Sequence, residues 1–304
     1  MDWFRLQDTS AAGIIGAGRR QGATGGRAGC PRDTLSSYRP APPLTGGLML
    51  LDGRRTLITG ASTGIGKATA IRFGAEGASV CVNYYSDEEK AGADAVCSEI
   101  AAAGRRAFSF QADVGDETQV IAMIAAVVTR FGGIDVLVNN AGIEKQVPTL
   151  EMPLELWNAV LRTNLTGAFL CLREAGKHMA AQRSGVIVNM SSVHEFIPWP
   201  GFAHYCASKG GMKLLTQTVA RELAPQGIRC VNVAPGAIAT PINTFVLDDP
   251  EAKHMVEEEI PLGRFGQPEE IAAAVAWVAS DQGAYVTGTT LVVDGGMSTY
   301  PKFI

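Results

Sequence analysis

From residue 54 onwards, short apolar runs alternate with longer stretches of helical period. RRTLIT (54–59) reads as a strand and GIGKATAIRFGAEG (64–77) as a helix. SVCVNYY, AFSFQ, IDVLVNN, GVIVNMS, IRCVNVAPG and TTLVVDGG follow as strands, separated by helical segments. The helix after SVCVNYY carries acids in its first turn and Gly at its end, the usual start and stop signals. A long helical region covers 154–182. Strand–helix alternation implies right-handed crossovers and a parallel sheet covered on both faces. The expected fold class is therefore α/β, a single doubly wound Rossmann-like domain of about seven parallel strands. The longest irregular connection, 237–267, reads as a lid.

Residues 1–48 do not share the pattern. They hold nine Gly, four Pro and six Arg, and no Lys. Such a segment cannot bury enough apolar surface to order itself. It reads as a disordered N-terminal extension, with the functional start near Met49 and the domain over 49–304. A signal peptide fits poorly because AAGIIGAG is short, and a transit peptide fits poorly because of Asp2 and Asp8.

Charge and composition exclude some classes. The extension carries a net +3 and the remainder −7, within a total of −4. An acidic body argues against nucleic acid as a partner. The longest apolar runs, such as IAAAVAWVA (271–279), are too short to span a membrane. The six cysteines (Cys30, Cys81, Cys97, Cys171, Cys206, Cys230) form no CxxC pair. Several fall in apolar strand or helix patterns, which suits buried reduced thiols of a cytoplasmic protein. His178, His194, His204 and His254 show no ligand spacing, so no metal is expected.

Three constellations carry chemistry. The first strand runs into TGASTGIG, which contains Gly60, Ser62, Thr63, Gly64, Ile65 and Gly66. Glycines there permit a sharp turn and a close approach to a pyrophosphate, which the following helix N-terminus attracts. Asn140, Ala141 and Gly142 close the fourth strand, either as small residues under a ribose and nicotinamide or as a plain Asn–Gly turn. Asp113 and Val114 close the third, where the Asp could accept an adenine amino hydrogen or cap a helix. Tyr205 and Lys209 lie at i and i+4, one helical turn apart. An ammonium beside a phenol favours the phenolate, and such a Tyr can move a hydroxyl proton. Ser192, thirteen residues upstream, can bond the same substrate oxygen. Alone, a Tyr–Lys pair at this spacing is commonly accidental.

Together TGASTGIG, NNAG, Ser192-x12-Tyr205-x3-Lys209 and PGAIATP resemble the short-chain dehydrogenase/reductase family, over about 51–304. The resemblance implies a nicotinamide cofactor, no metal and a homotetramer. It implies further cofactor contacts from Pro235, Gly236, Ile238 and Thr240. It also implies that Asn164, in TNLTG, kinks a helix and completes a tetrad with Ser192, Tyr205 and Lys209. VNMSSVHEFIPWP, GAIATPIN and DGGMSTYP resemble the bacilli-type glucose 1-dehydrogenase subgroup. That likeness implies oxidation of an aldose, a small-molecule sugar, at C1 to a lactone. Glu144, His194 and Trp199 would then flank the sugar with Ser192 and Tyr205, offering an acceptor, a donor and a flat apolar face. The bland alternatives are a capped turn for His194 and core for Trp199.

The subgroup's NYRS reads here Asn83-Tyr84-Tyr85-Ser86. Neither Tyr84 nor Tyr85 supplies the acid that selects NAD or the Arg that holds the 2′-phosphate of NADP. The expected cofactor is NAD or NADP, dual use with a lean toward NAD. Two rival functions stand beside the sugar dehydrogenase. One is a short-chain reductase of 3-oxoacyl or other ketone substrates, and the other is a catalytically dead dinucleotide sensor.

Overall fold

Seven strands form one parallel sheet in the order β3-β2-β1-β4-β5-β6-β7. The computed structural model describes residues 49–299 apart from the side chain of Phe245, so the expectations for 1–48 and for Cys30 lie outside the described residues. The strands are β1 (Arg55–Ile58), β2 (Ser79–Tyr84), β3 (Ala107–Gln111), β4 (Val136–Asn139), β5 (Gly185–Met190), β6 (Ile228–Pro235) and β7 (Thr290–Val293). Between them run α1 (Gly64–Ala75), α2 (Asp87–Ala102), α3 (Glu117–Phe131), α4 (Leu154–Leu161), α5 (Gly167–Gln182), α6 (Ala203–Leu223) and α9 (Pro268–Ala279).

Strand side chains alternate between two cores, as the pleat requires. Ile58, Val82, Val138, Val188 and Val233 pack on one face against Phe73 of α1, Val96 of α2 and Val275 of α9. Leu57, Cys81, Leu137, Ile187 and Cys230 pack on the other against α3 and α5, with Val219 of α6. Both faces being covered explains why the strands read as continuous apolar runs. Burial pushes the Cys171 and Cys230 thiols up to about 12.

The chain winds outward from β1 to β3, then returns to β4 on the other side. Ligands bind at the carboxyl ends of the strands where that order reverses. One detail corrects the sequence reading, and a second supplies the kink at Asn164 that the resemblance implied. Asp113 does not cap α3; Asp116 does, accepting from the Gln119 N–H. The helix expected over 154–182 is interrupted by a five-residue π turn, Arg162–Thr166. The lid region contains α7 (Thr244–Leu247) and α8 (Pro250–Glu259). Its base is pinched shut where Gly266 bonds Ala237 and Ala239 through the backbone.

Candidate active site

A cleft of about 990 Å³ opens over the strand ends at the β1/β4 switch point, walled by α8 on the far side. The Gly-rich turn forms its floor at one end. Gly60 and Gly64 have φ of +59° and +55°, which L side chains rarely adopt. A Cβ on Gly60 would come within 2.9 Å of the Ala141 backbone. Thr63 at the α1 N-cap makes no side-chain bond to the first-turn amides. That helix end is thus open to an anion, and the turn fits the pyrophosphate of a dinucleotide. Gly66 does not line the cleft as expected: it is buried, and a Cβ there would run into the Gly60 carbonyl. Its role is to bring α1 close to the strand.

Polar staples hold the turn in place. The Thr59 hydroxyl accepts the N–H groups of Asn140 (2.9 Å) and Ala141 (3.0 Å). The Asn140 side chain donates to the Thr59 and Gly60 carbonyls, both at 2.9 Å. Asn83 accepts the Gly60 N–H (3.1 Å) and donates to the Ala112 carbonyl (3.1 Å). Sequence reasoning missed Thr59 and Asn83; a polar residue ending an apolar strand was the available signal. Ser62, Thr63, Gly64, Ile65, Asp113, Val114, Ala141, Gly142, Pro235, Gly236, Ile238 and Thr240 all line the cleft. Asp113 accepts the Gly115 N–H (2.8 Å) and pairs with Arg162 (2.8 Å).

Tyr84 and Tyr85 part company. Tyr84 is 6% exposed and belongs to the core, so its placement among cofactor contacts is corrected. Tyr85 is 61% exposed and lines the cleft mouth, next to Glu89. One Glu89 oxygen accepts both the Tyr85 N–H (3.0 Å) and the Ser62 hydroxyl (3.2 Å).

At the other end the four expected catalytic residues converge. The π turn buries Asn164 completely. Its side chain clasps the Ile143 peptide, accepting N–H (2.8 Å) and donating to C=O (3.0 Å), and donates to Ser208 (3.2 Å). Asn164 thereby fixes the loop that carries Glu144. Lys209 is buried, donates to the Met190 carbonyl (2.7 Å) and sits 5.3 Å from the Tyr205 ring centre. Burial pulls Lys209 down to about 8 against the attraction of Glu144 and Glu195. Burial and Glu144 hold the Tyr205 phenol above its usual value, while the neighbouring Ser192 hydroxyl works the other way. In the protein alone, then, burial outweighs the ammonium that was expected to favour the phenolate.

Trp199 is sandwiched between His194 (4.4 Å between ring centres) and Phe202 (3.6 Å), and stands edge-on to Tyr205 at 6.1 Å. His194 Nδ1 meets the Ile197 carbonyl at 3.2 Å; a carbonyl only accepts, so Nε2 of the neutral ring is left as an acceptor, which corrects the expected donor role. Burial holds its pKa below the ordinary histidine value. Burial pushes the Glu144 carboxyl up to about 7. Ile143, Ile197, Pro198, Ile242, Met255 and Phe265 complete an apolar wall.

Comparison with known proteins agrees with this geometry. A family model described as enoyl-(acyl carrier protein) reductase matches residues 60–298. The chain is 51% identical over 254 residues to 3beta-hydroxysteroid dehydrogenase 1 of Eggerthella lenta, covering 83% of this chain and 97% of that one. It is 44% identical over 254 residues to glucose 1-dehydrogenase 2 of Bacillus subtilis, with the same two coverages. A crystal structure of a gluconate 5-dehydrogenase from Burkholderia cenocepacia, in complex with NADP and tartrate, superposes with a TM-score of 0.79. It is 35% identical and covers 84% of this chain and 98% of that one. With Gly-rich turn, π-kinked Asn164 and the Ser–Tyr–Lys group in one cleft, this chain belongs to the short-chain dehydrogenase/reductase family of oxidoreductases.

Proposed function

We propose that this NAD(P)-dependent oxidoreductase oxidises the C1 hydroxyl of an aldose, with D-glucose giving D-glucono-1,5-lactone. Tyr205 takes the hydroxyl proton as the C1 hydride leaves, Ser192 bonds the same oxygen, and Lys209 supports the phenolate. When bound, the nicotinamide supplies the hydride acceptor. The observation that carries the sugar reading is Glu144. Its carboxylate is half-buried in a largely apolar pocket and makes no hydrogen bond to the described residues. A desolvated carboxylate needs donors. A polyol brings several, and the neutral His194 with the Trp199 face completes a sugar-shaped set.

A second reading has its own observation. The apolar wall over Trp199 suits a bulky secondary alcohol such as a 3β-hydroxysteroid, the substrate class named for one relative. Such a ligand's hydrocarbon would leave Glu144 without donors. A 3-oxoacyl substrate on an acidic carrier is disfavoured by the lid, where Glu251, Glu257, Glu258 and Glu259 of α8 face one Lys253.

The cofactor reading leans toward NAD. Among the described residues, Arg162 and Lys209 are the only cations lining the cleft, and Asp113 and the Met190 carbonyl already hold them. The test is initial rates with D-glucose, a 3β-hydroxysteroid and a 3-oxoacyl thioester, for wild type and Glu144→Leu. Glucose oxidation that collapses in Glu144→Leu supports the sugar. Steroid oxidation that survives or improves in that variant supports the second reading.

A further inference from the structure

Beneath the catalytic residues lies a buried chain of side-chain hydrogen bonds that the reaction outlined above does not use. Asn139 donates to Asn189 (2.8 Å), and Asn189 donates to Thr216 (2.7 Å). Thr216, its oxygen already accepting, gives its own proton to Asn232 (2.5 Å). Asn232 donates to Glu195 Oε2 (3.0 Å). Asn139, Asn189, Thr216 and Asn232 are each at most 4% exposed. Every donor in the chain points the same way, from β4 through β5, α6 and β6 to the carboxylate. Bonds aligned in this manner polarise one another, and a charged acceptor at the end strengthens the series.

Glu195 collects more than this one bond. The Ser191 hydroxyl donates to the same oxygen, and Thr290 at the start of β7 donates to Oε1 (2.7 Å). Three donors from beyond β5, from β6 and from β7 hold the carboxylate. Lys209 Nζ donates to the Met190 carbonyl at the end of β5, and the next residue, Ser191, donates to Glu195, so consecutive residues of one turn hold the ammonium and the carboxylate. Glu144 from the loop after β4 lines the same cleft as Lys209, and Tyr205 lies on its own helix. Beside Glu195 stand His194 and Phe196, the latter covered at 3.7 Å by Lys213.

We propose that Glu195 is a positioning residue for Lys209: a fixed anion at the end of the polarised chain that keeps the catalytic ammonium charged inside a buried site. Glu144 exerts the same attraction, but it lies in the substrate pocket, where burial has pushed it up to about 7. Glu195 is held by three donors outside that pocket and acts whether or not substrate is present. The inference deepens the dehydrogenase reading, and its test does not depend on the substrate.

The experiment uses full-length protein labelled with carbon-13 at lysine Cε, the Lys209 signal being assigned by its loss in Lys209→Met. Glu195→Gln keeps the shape and removes the charge. It should lower the pH at which Lys209 titrates by about half a unit or more. Glu195→Asp keeps the charge and should leave the midpoint near that of wild type. Should Glu195→Gln not fold, Ser191→Ala/Thr290→Val strips two donors from the carboxylate and should lower the midpoint in the same direction by less. An unmoved Lys209 midpoint in Glu195→Gln, whatever its melting temperature, overturns the proposal, as does an unmoved midpoint in the double variant where that is the one read. Loss of turnover with glucose and steroid alike in wild type would count against the substrate readings alone.

Discussion

Tyr205 and Lys209 are one turn apart on α6, yet the acid–base state of each is set by burial first. Desolvation penalises both charged forms, so the phenol is raised and the ammonium lowered. The proton therefore moves in a site where neither group is charged at no cost, and Tyr205→Phe removes the one phenol that, among the described residues, lies beside Lys209. That variant should lose about 10²- to 10⁴-fold in kcat, with reduced-cofactor Kd, read by fluorescence titration, unchanged. Cofactor choice is decided at residue scale too. Glu89 lines the cleft beside Tyr85, the position where the family resemblance locates the choice between NAD and NADP, and one of its oxygens accepts from the Tyr85 N–H and the Ser62 hydroxyl. Glu89→Gln with Tyr85→Arg removes an anion and adds a bidentate cation. NADPH should then bind about 10- to 150-fold tighter with NADH affinity little changed, the worth of one charged hydrogen bond. A wild-type Kd already tenfold tighter for NADPH than for NADH would contradict the lean toward NAD.

The element that most constrains the site is the junction of β1 and α1. A Cβ at Gly66 would meet the Gly60 carbonyl, Asn140 Nδ2 at 2.5 Å and the Ala61 Cα at 2.9 Å. These are backbone and stapled atoms, so α1 itself must move. Gly66→Ala should weaken dinucleotide binding more than tenfold and lower Tm, because the helix end and its amides leave the anion site. Gly210 on α6 is the control: a Cβ there meets nothing within 4 Å. Gly210→Ala should hold stability or raise it by up to about 1 kcal/mol of helix propensity, so Tm should not fall. The glycine positions were readable in the sequence, but their division of labour was not. TGASTGIG marks Gly60 and Gly66 alike, and only the packed turn separates one that shapes the anion site from one that seats a helix. The kink at 162–166 was legible only through the family resemblance, since nothing in the residues themselves separates Asn164 from an ordinary polar helix position. Its function rests on Asn164 reaching a peptide 21 residues away.

Across the whole molecule, the features legible in the sequence were those with a short period. Strand runs, helix stripes and local motifs yield the sheet, its two cores and the catalytic group. Contacts between distant residues stayed silent: Glu195 meets Thr290 across 95 positions and Asn232 across 37, and nothing in either segment announces the other. The same holds for the ion pair at the opposite, amino-terminal end of the sheet. Arg55 at the start of β1 grips Asp135 before β4 through Nε (2.7 Å) and Nη2 (2.6 Å), and its third nitrogen donates to the Gly132 carbonyl (2.7 Å). The Asp135 carboxyl lies below its ordinary value: desolvation is the largest single influence and would raise it, but the Arg55 hydrogen bonds and charge together outweigh it. Both side chains are largely covered, at 28% and 13% exposed. Because the folded pKa is depressed, the pair's contribution is complete above the unfolded value near pH 4 and is lost as pH falls through the folded one. Asp135→Asn keeps the shape and should cost about 2 kcal/mol at pH 7, a Tm drop of about 4–8 °C in a chain of this size. The difference from wild type should shrink steadily below about pH 4, as the wild-type carboxylate protonates. Since the pair sits at the far end of the strands from the cleft, KM and kcat at 25 °C should match wild type. Thermal unfolding at pH 7 and pH 3 with parallel kinetics checks this, and a Tm gap that persists undiminished in acid would assign the stabilisation to packing instead of charge.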